Sequence, residues 1–287
     1  MVVDPQFIWN GLVVGSLIAL AALGLTLLFG LLNFINIAYG DYMAFGAYFA
    51  LAANVGFGLP IVVSILIGAI GGGILAVVVH KFVFSKFMDR SPIVLLVVSI
   101  GMAFILRNVI RIFWSTDPQY YAVPVEEGPS LLGVTFLPEQ VAIIAASLVV
   151  LGLLFLLLHR TRIGIAMRAA SDDTDLARLR GIDTKRLVIY ISLVGGIIAA
   201  FAGIMLGLDS NLRPNMGFIA LIPIFAAVIL GGIGDPTGAV IGGYVIGIGQ
   251  EVSVAFIPSE YKPVVGLVLL IIGLLARPDG LFGEATR

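Results

Sequence analysis

HRTRIGIAMRAASDDTDLARLRGIDTKR, His159 to Arg186, is the one long stretch of this chain that reads as water-soluble, and its flanks decide the fold. It carries seven of the 16 Lys and Arg residues (Arg160, Arg162, Arg168, Arg178, Arg180, Lys185, Arg186) and four of the 17 acidic ones (Asp172, Asp173, Asp175, Asp183). Nineteen uncharged residues precede it, Gln140 to Leu158, and 22 follow it, Leu187 to Leu208. At about 1.5 Å per helical residue, each flank is long enough to cross a hydrocarbon core of about 30 Å. Residues 160–186 are therefore a loop between two membrane spans.

The loop has its own pattern. Ser171-Asp172-Asp173-Thr174-Asp175 offers N-cap side chains and first-turn acids that complement the positive end of a helix dipole. Leu176 and Leu179 follow at i and i+3, Arg178 and Arg180 lie where cations suit a helix C-terminus, and Gly181 stands at the stop position. The pattern predicts a short amphipathic helix over Ser171 to Arg180, outside the bilayer. Its small apolar face serves either a protein partner or the lipid surface.

Outward from the loop the composition is that of a membrane protein: 60% hydrophobic, 11% charged and mean hydropathy +1.13, where soluble domains carry about a quarter charged residues. The expected fold is all-α and polytopic, a single transmembrane domain over 1–287. No cysteine is present, which excludes disulfides and thiolate metal sites. The net charge of -1 gives no footprint for nucleic acid.

The start, MVVDPQFIWNGL, lacks the basic region and small-residue cleavage site of a secretory signal, so its apolar stretch is kept as a span. Pro5 to Gly40 holds 36 uncharged residues, about 54 Å as one helix, and is broken near Gly30 to Gly40. Tyr42 to Val79 is cut by Gly56-Phe57-Gly58-Leu59-Pro60. Later candidates are Ser91 to Phe113, Gln140 to Leu158, Leu187 to Leu208, Gly217 to Ile233, Thr237 to Ile257 and Pro263 to Ala276, giving eight or nine spans. A cytoplasmic loop at 160–186 places twelve of the 16 basic residues inside, as the positive-inside rule requires. The N-terminus then lies outside, the C-terminus in the cytoplasm, and 114–139 forms an extracytoplasmic loop.

Catalytic machinery is not visible. There is no G-x-x-x-x-G-K-[ST], no H-E-x-x-H and no G-x-S-x-G, so neither ATP hydrolysis nor an intramembrane hydrolase is expected, and catalytic, cofactor and metal residues are none. The glycine groups Gly71-Gly72-Gly73, Gly195-Gly196 and Gly242-Gly243 suit close helix packing. Ion-coupled carriers keep ionisable groups at mid-membrane depth. The candidate spans show none near their centres, with Asp41 and Asp235 placed at breaks toward the cytoplasmic side.

Two interrupted segments occupy comparable places in the two halves, Asn33 to Gly46 (NFINIAYGDYMAFG) and Gly231 to Gly243 (GGIGDPTGAVIGG). Broken helices in matching positions point to a permeation path, here marked by Asn33, Asn36, Tyr39, Asp41, Gly231, Gly232 and Gly234. The same polar side chains equally suit backbone groups freed by the break, and the repeat of Gly-Asp is equally chance among 35 glycines.

Three blocks resemble a known family, the LivH-type permease subunits of ABC importers for branched-chain amino acids. Gly11 to Tyr48 looks like the family's N-terminal block ending in an I-N-F-A-H-G-E-like signature, matched at Ile35, Asn36, Ala38, Gly40 and Asp41, with Ile37 and Tyr39 departing from it. Gly164, Arg168 and Ala169 match a G-x-x-x-R-A pattern, with Ala177 and Gly181-Ile182 following, and Ala226 to Gly243 is similar to the family's glycine-rich block. The resemblance implies that the loop helix is a coupling element docking on an ATPase through Gly164, Arg168, Ala169, Leu176, Ala177 and Gly181. It also implies a second, LivM-like permease subunit, two ATPase subunits that hold the ATP and magnesium, and an extracytoplasmic solute-binding protein. The departures at Ile37 and Tyr39 keep urea or short amides open as cargo beside branched-chain amino acids; an ion-coupled secondary carrier is the competing class.

Arg107 and Arg111, one helical turn apart near the outer end of their span, either hold a carboxylate of the substrate or binding protein, or snorkel to the interface. Asp117, Glu126 and Glu127 are expected to face the binding protein.

Overall fold

The computed structural model describes residues 4–124, 128–131, 133–278 and 280–282. Among them stand eleven α-helices: α1 Pro5–Leu32, α2 Tyr39–Leu51, α3 Ile61–Phe82, α4 Pro92–Trp114, α5 Pro138–Arg160, α6 Arg162–Asp172, α7 Thr174–Leu179, α8 Thr184–Asp209, α9 Met216–Gly231, α10 Pro236–Ser253 and α11 Lys262–Ala276. A two-stranded hairpin, β1 Ser130–Leu131 and β2 Val134–Thr135, pairs Ser130 with Thr135 and Leu131 with Val134. Six of the described helical stretches are long and apolar enough to cross a membrane, those of α1, α3, α4, α5, α8 and α11. The fold is thus all-α and multi-pass, as the sequence predicts.

The chain forms two compact units, one of residues 27–122 and 150–219, the other of residues up to Thr26, 123–149 and 220 onward. The first is built around α2. Thirteen residues make a helix of about 20 Å, too short to span a bilayer. All of it but Phe49 is buried, with α3 and α8 as its principal neighbours and α4 beside it. Small residues set these distances: a Cβ at Gly46 would overlap Ala200, and one at Gly203 would overlap the Met43 backbone. Dispersion contacts between closely approached backbones replace a hydrophobic driving force that lipid does not supply.

At one end of this unit, Ala52–Gly56 forms a single π-helical turn before Pro60 caps α3. The Asn54 amide donates to the Leu59 carbonyl at 2.9 Å, and its Oδ1 accepts the Ala122 N–H at 2.7 Å. Gln119 and Leu212 exchange two backbone hydrogen bonds at 3.0 and 2.9 Å, tying the segment after α4 to the one before α9. The opposite end carries the α3–α4 connection together with α6 and α7.

In the second unit, the first part of α1 lies against α10 through small residues, with Gly243 on Ala19 and Gly247 on Gly15. The α9–α10 turn is equally tight, since Cβ atoms at Gly231 and Gly242 would overlap the Gly238 and Ala227 backbones. The Trp9 indole N–H donates to Gln140 at 2.7 Å, and Lys262 pairs with the buried Glu251 at 2.6 Å.

Candidate translocation and coupling site

The break between α1 and α2 is where chemistry gathers. Asn33 ends α1 with φ +51°, a left-handed conformation that Asn tolerates better than most residues. The chain then passes the α3–α4 connection, where Phe34 meets Phe84 with ring centroids 5.3 Å apart, and reaches α4, where the Ile37 N–H donates to Ser99 Oγ at 3.1 Å. Asp41 meets Arg107, with Nε donating to Oδ1 and Nη2 to Oδ2, each at 3.2 Å. Ser99 and Arg107 are eight residues apart on α4, about 12 Å of helix, so the break lies against α4 at Ser99 while the first turn of α2 meets the long Arg107 side chain further along it.

This corrects two expectations. Asp41 does not sit in the break itself: it lies in the first turn of α2 and meets Arg107, well along α4 from the loop end. Nor are the membrane helices free of interior charge: Arg107 is the sixteenth of 23 residues in α4, its residue 8% exposed, and Asp41 is fully buried. The guanidinium also lies 4.4 Å from the Phe218 ring centroid, a cation–π contact. A two-pronged pair with both charges satisfied is the arrangement that makes burial of ions tolerable.

Arg107 and Arg111 consequently do not act as a pair. Arg107 turns inward and does not snorkel, while Arg111 stays exposed with Asn108 Oδ1 at 3.4 Å. Of the other path residues, Asn33 is exposed, Asn36 is buried with its Oδ1 accepting the Ala38 N–H at 3.1 Å, and Tyr39 is fully buried. In the second unit Gly232 and Gly234 take φ +110° and +93° in the α9–α10 turn, and Gly231 packs on Gly238. The two Gly-Asp steps differ in their work. Asp235 is the N-cap of α10, accepting the Gly238 N–H, whereas Asp41 makes no cap and holds Arg107. Asp117 is exposed and accepts from Ser115 Oγ at 3.1 Å; Glu126 and Glu127 lie outside the described residues.

The loop folds as two helices where one was expected. Asp173 is extended (φ -154°, ψ 104°) and caps α7, accepting the Asp175 and Leu176 N–H groups at 2.9 Å each. Ahead of it, residues from Arg162 already form α6, capped by Thr161 Oγ1 accepting the Gly164 N–H at 3.0 Å. Gly164 packs so closely on the Leu157 and Leu158 backbones that a Cβ would overlap them. Gly181 takes φ +84°, with its N–H bonded to the Arg178 carbonyl at 2.9 Å and that of Ile182 to Ala177 at 3.1 Å, a complete Schellman stop.

Leu176 and Ala177 do not share a docking face. Ala177 is 3% exposed, because α7 packs on α6 and α8, while Leu176 and Leu179 are 52% and 85% exposed. Arg168 is exposed and Ala169 half-buried. Ser171, at the end of α6, stands close enough to α1 that a Cβ at Gly30 would lie 3.0 Å from its Oγ.

Sequence reasoning missed Ser99 and Phe218. Ser99, a lone hydroxyl inside the apolar run VLLVVSIGMAF, was the readable signal; Phe218 looks like any lipid-facing aromatic.

Broken helix, buried ion pair and a capped helical loop define a multi-pass membrane protein with the parts of a translocation subunit. The chain belongs to the family described as branched-chain amino acid transport system / permease component, which matches residues 7–274. It is 31% identical to the high-affinity branched-chain amino acid transport system permease protein BraD of Pseudomonas aeruginosa, over 97% of this chain and 95% of that protein. Identity to LivH of Escherichia coli K12, of the same description, is 30% over the same shares. Among solved structures, PsaBC from Streptococcus pneumoniae in complex with Fab superposes with TM-score 0.55 at 12% identity, covering 96% of this chain and 94% of that one, a likeness of fold.

Proposed function

We propose that this chain is the translocation subunit of an ATP-binding-cassette importer that moves branched-chain amino acids into the cytoplasm. The observation that carries the reading is the near full-length match to the permease family. The partners are then a second permease subunit, two ATPase subunits that hold ATP and magnesium, and an extracytoplasmic binding protein. Loop 160–186 lies in the cytoplasm with the C-terminus, and the N-terminus lies outside.

In this reading α7 presents Leu176 and Leu179 to an ATPase, and the small residue Ala177 seats α7 on its own permease. Displacement of α7 reaches α1 through α6, where Ser171 rests at Gly30, three residues before the left-handed Asn33. The broken segment then shifts along α4 against the fixed Asp41–Arg107 pair. A packed seam with two arrangements transmits such a motion where a soft one would absorb it.

The departures at Ile37 and Tyr39 do not favour urea or amides, since the Ile37 N–H is bonded to Ser99 and Tyr39 is fully buried among helices. A charge-neutral Asp41–Arg107 pair likewise gives no free site for a coupling ion. The test is uptake of labelled leucine and urea by proteoliposomes holding this chain, its partner permease and ATPases, with binding protein outside and ATP inside. ATP-dependent leucine uptake supports the reading, and uptake driven by an ion gradient without ATPases contradicts it.

A further inference from the structure

A cleft of about 460 Å³ opens at the loop end of the first unit, walled by the end of α3, the α3–α4 connection, α7 and the start of α8. Its charged lining is lopsided: Lys81, Arg178 and Lys185 against Asp89, with His80 beside them. Arg178 is partly engaged, donating to Thr184 Oγ1 at 2.9 Å and lying 3.5 Å from Asp175. Lys81 and Lys185 make no ion pair among the described residues. His80 is 7% exposed and its Nδ1 has no hydrogen-bond partner there. Like charges brought together from three separate elements repel one another unless an anion sits between them. Leu31, Val188 and Ile189 supply an apolar wall to the same cleft.

We infer that this cleft binds a phosphate group, and that the occupant pins the coupling helix α7 to α3 and α8. Clustered Lys and Arg beside an apolar wall, at the end of membrane helices, match the head group and chain of an anionic phospholipid. Free phosphate has the same recognising chemistry without the apolar part. Because Arg178 lies on α7 while Lys81 and Lys185 lie on α3 and α8, one bound anion joins the moving element to its support. That α7 is the moving element rests on the proposed function; binding of the anion does not.

The experiment uses the full chain in phosphatidylcholine nanodiscs, alone and with ATPase subunits, titrated with fluorescent short-chain phosphatidylglycerol or with inorganic phosphate. Saturable binding is expected, weakened about fivefold by Lys81→Gln and again by Lys185→Gln, as loss of one cation near an anion gives. Asp89→Asn should tighten it by a similar factor, a gain that misfolding cannot imitate. Displacement of the fluorescent lipid by phosphate alone at low concentration identifies a free phosphate site; displacement only by anionic lipid identifies the head group. Binding indifferent to all three substitutions overturns the inference. So does binding lost once ATPases assemble, which assigns the cleft to acidic residues of that partner.

Discussion

Asp41 and Arg107, 66 residues apart in sequence, form a buried ion pair with both hydrogen bonds at 3.2 Å and side chains 0% and 9% exposed. Two charges removed from water hold each other only while both remain. Either Asp41→Asn or Arg107→Gln alone should destabilise the protein by about 3–5 kcal/mol, and the paired change Asp41→Leu with Arg107→Met should cost less than either single one. Denaturant unfolding in detergent measures this, and a double-mutant cycle built from Asp41→Leu, Arg107→Met and their combination gives the coupling; additive losses in that cycle would show that the pair is not coupled.

Close helix packing around α2 gives a second expectation. Gly203→Leu places a side chain where the Met43 backbone lies, and Gly46→Val does so at Ala200. Overpacking of this kind costs about 1–3 kcal/mol or more. Gly101→Ala in α4, where a Cβ meets nothing within 4 Å, is the control and should not lower the melting temperature, since Ala is also the better helix former.

At Gly181 the backbone itself sets the constraint. Gly181→Val forces a β-branched residue to φ +84° and should cost about 1–2 kcal/mol locally. Limited proteolysis would report it as faster cleavage within 174–184 with the membrane helices intact. Equal cleavage rates would mean that the Schellman stop is dispensable.

Ala177 and Leu179 should separate folding from docking. Ala177→Trp cannot fit between α7 and its supports, so it disorders the loop and loses ATPase association as a consequence. Leu179→Asp leaves the loop folded but removes an apolar side chain from the proposed contact, weakening association by about 1.5–3 kcal/mol, roughly tenfold to a hundredfold. If Leu179→Asp binds ATPase with wild-type affinity, α7 is not the docking element.

How much of this was readable beforehand depends on the range of the interaction. The all-α multi-pass fold, breaks near 30–40 and at 56–60, and the stop at Gly181 rest on local signals: uncharged runs, turn residues, and a glycine where φ is positive; the interruptions expected over 33–46 and 231–243 are shorter, because α2 begins at Tyr39 and α10 at Pro236. The loop's second helix, α6, escaped notice because the stripe it buries, Gly164, Met167 and Ala170, consists mostly of small residues, and its cap Thr161 is an ordinary threonine. The inward turn of Ala177 depends on α6 and α8 supplying a surface, which no pattern within α7 states. Pairing of Asp41 with Arg107 was hidden for a geometric reason. Counting helical residues from the loop end puts Asp41 low and Arg107 high, and neither the direction of the irregular segment before α2 nor the inward reach of the Arg107 side chain is written in the local pattern.

The most direct measurement of the central claim exploits a chain without native cysteines. Leu179→Cys, joined by a short bifunctional reagent to co-expressed ATPase subunits in membranes, should cross-link at α7, with the yield changing when ATP is added. Phe57→Cys, 81% exposed in the loop at the other end of the first unit, should react only with reagent applied from outside and give no ATPase adduct. Leucine uptake that requires both ATP and an unmodified α7 is the predicted companion result. ATPase adducts at Phe57→Cys with none at Leu179→Cys would contradict the account.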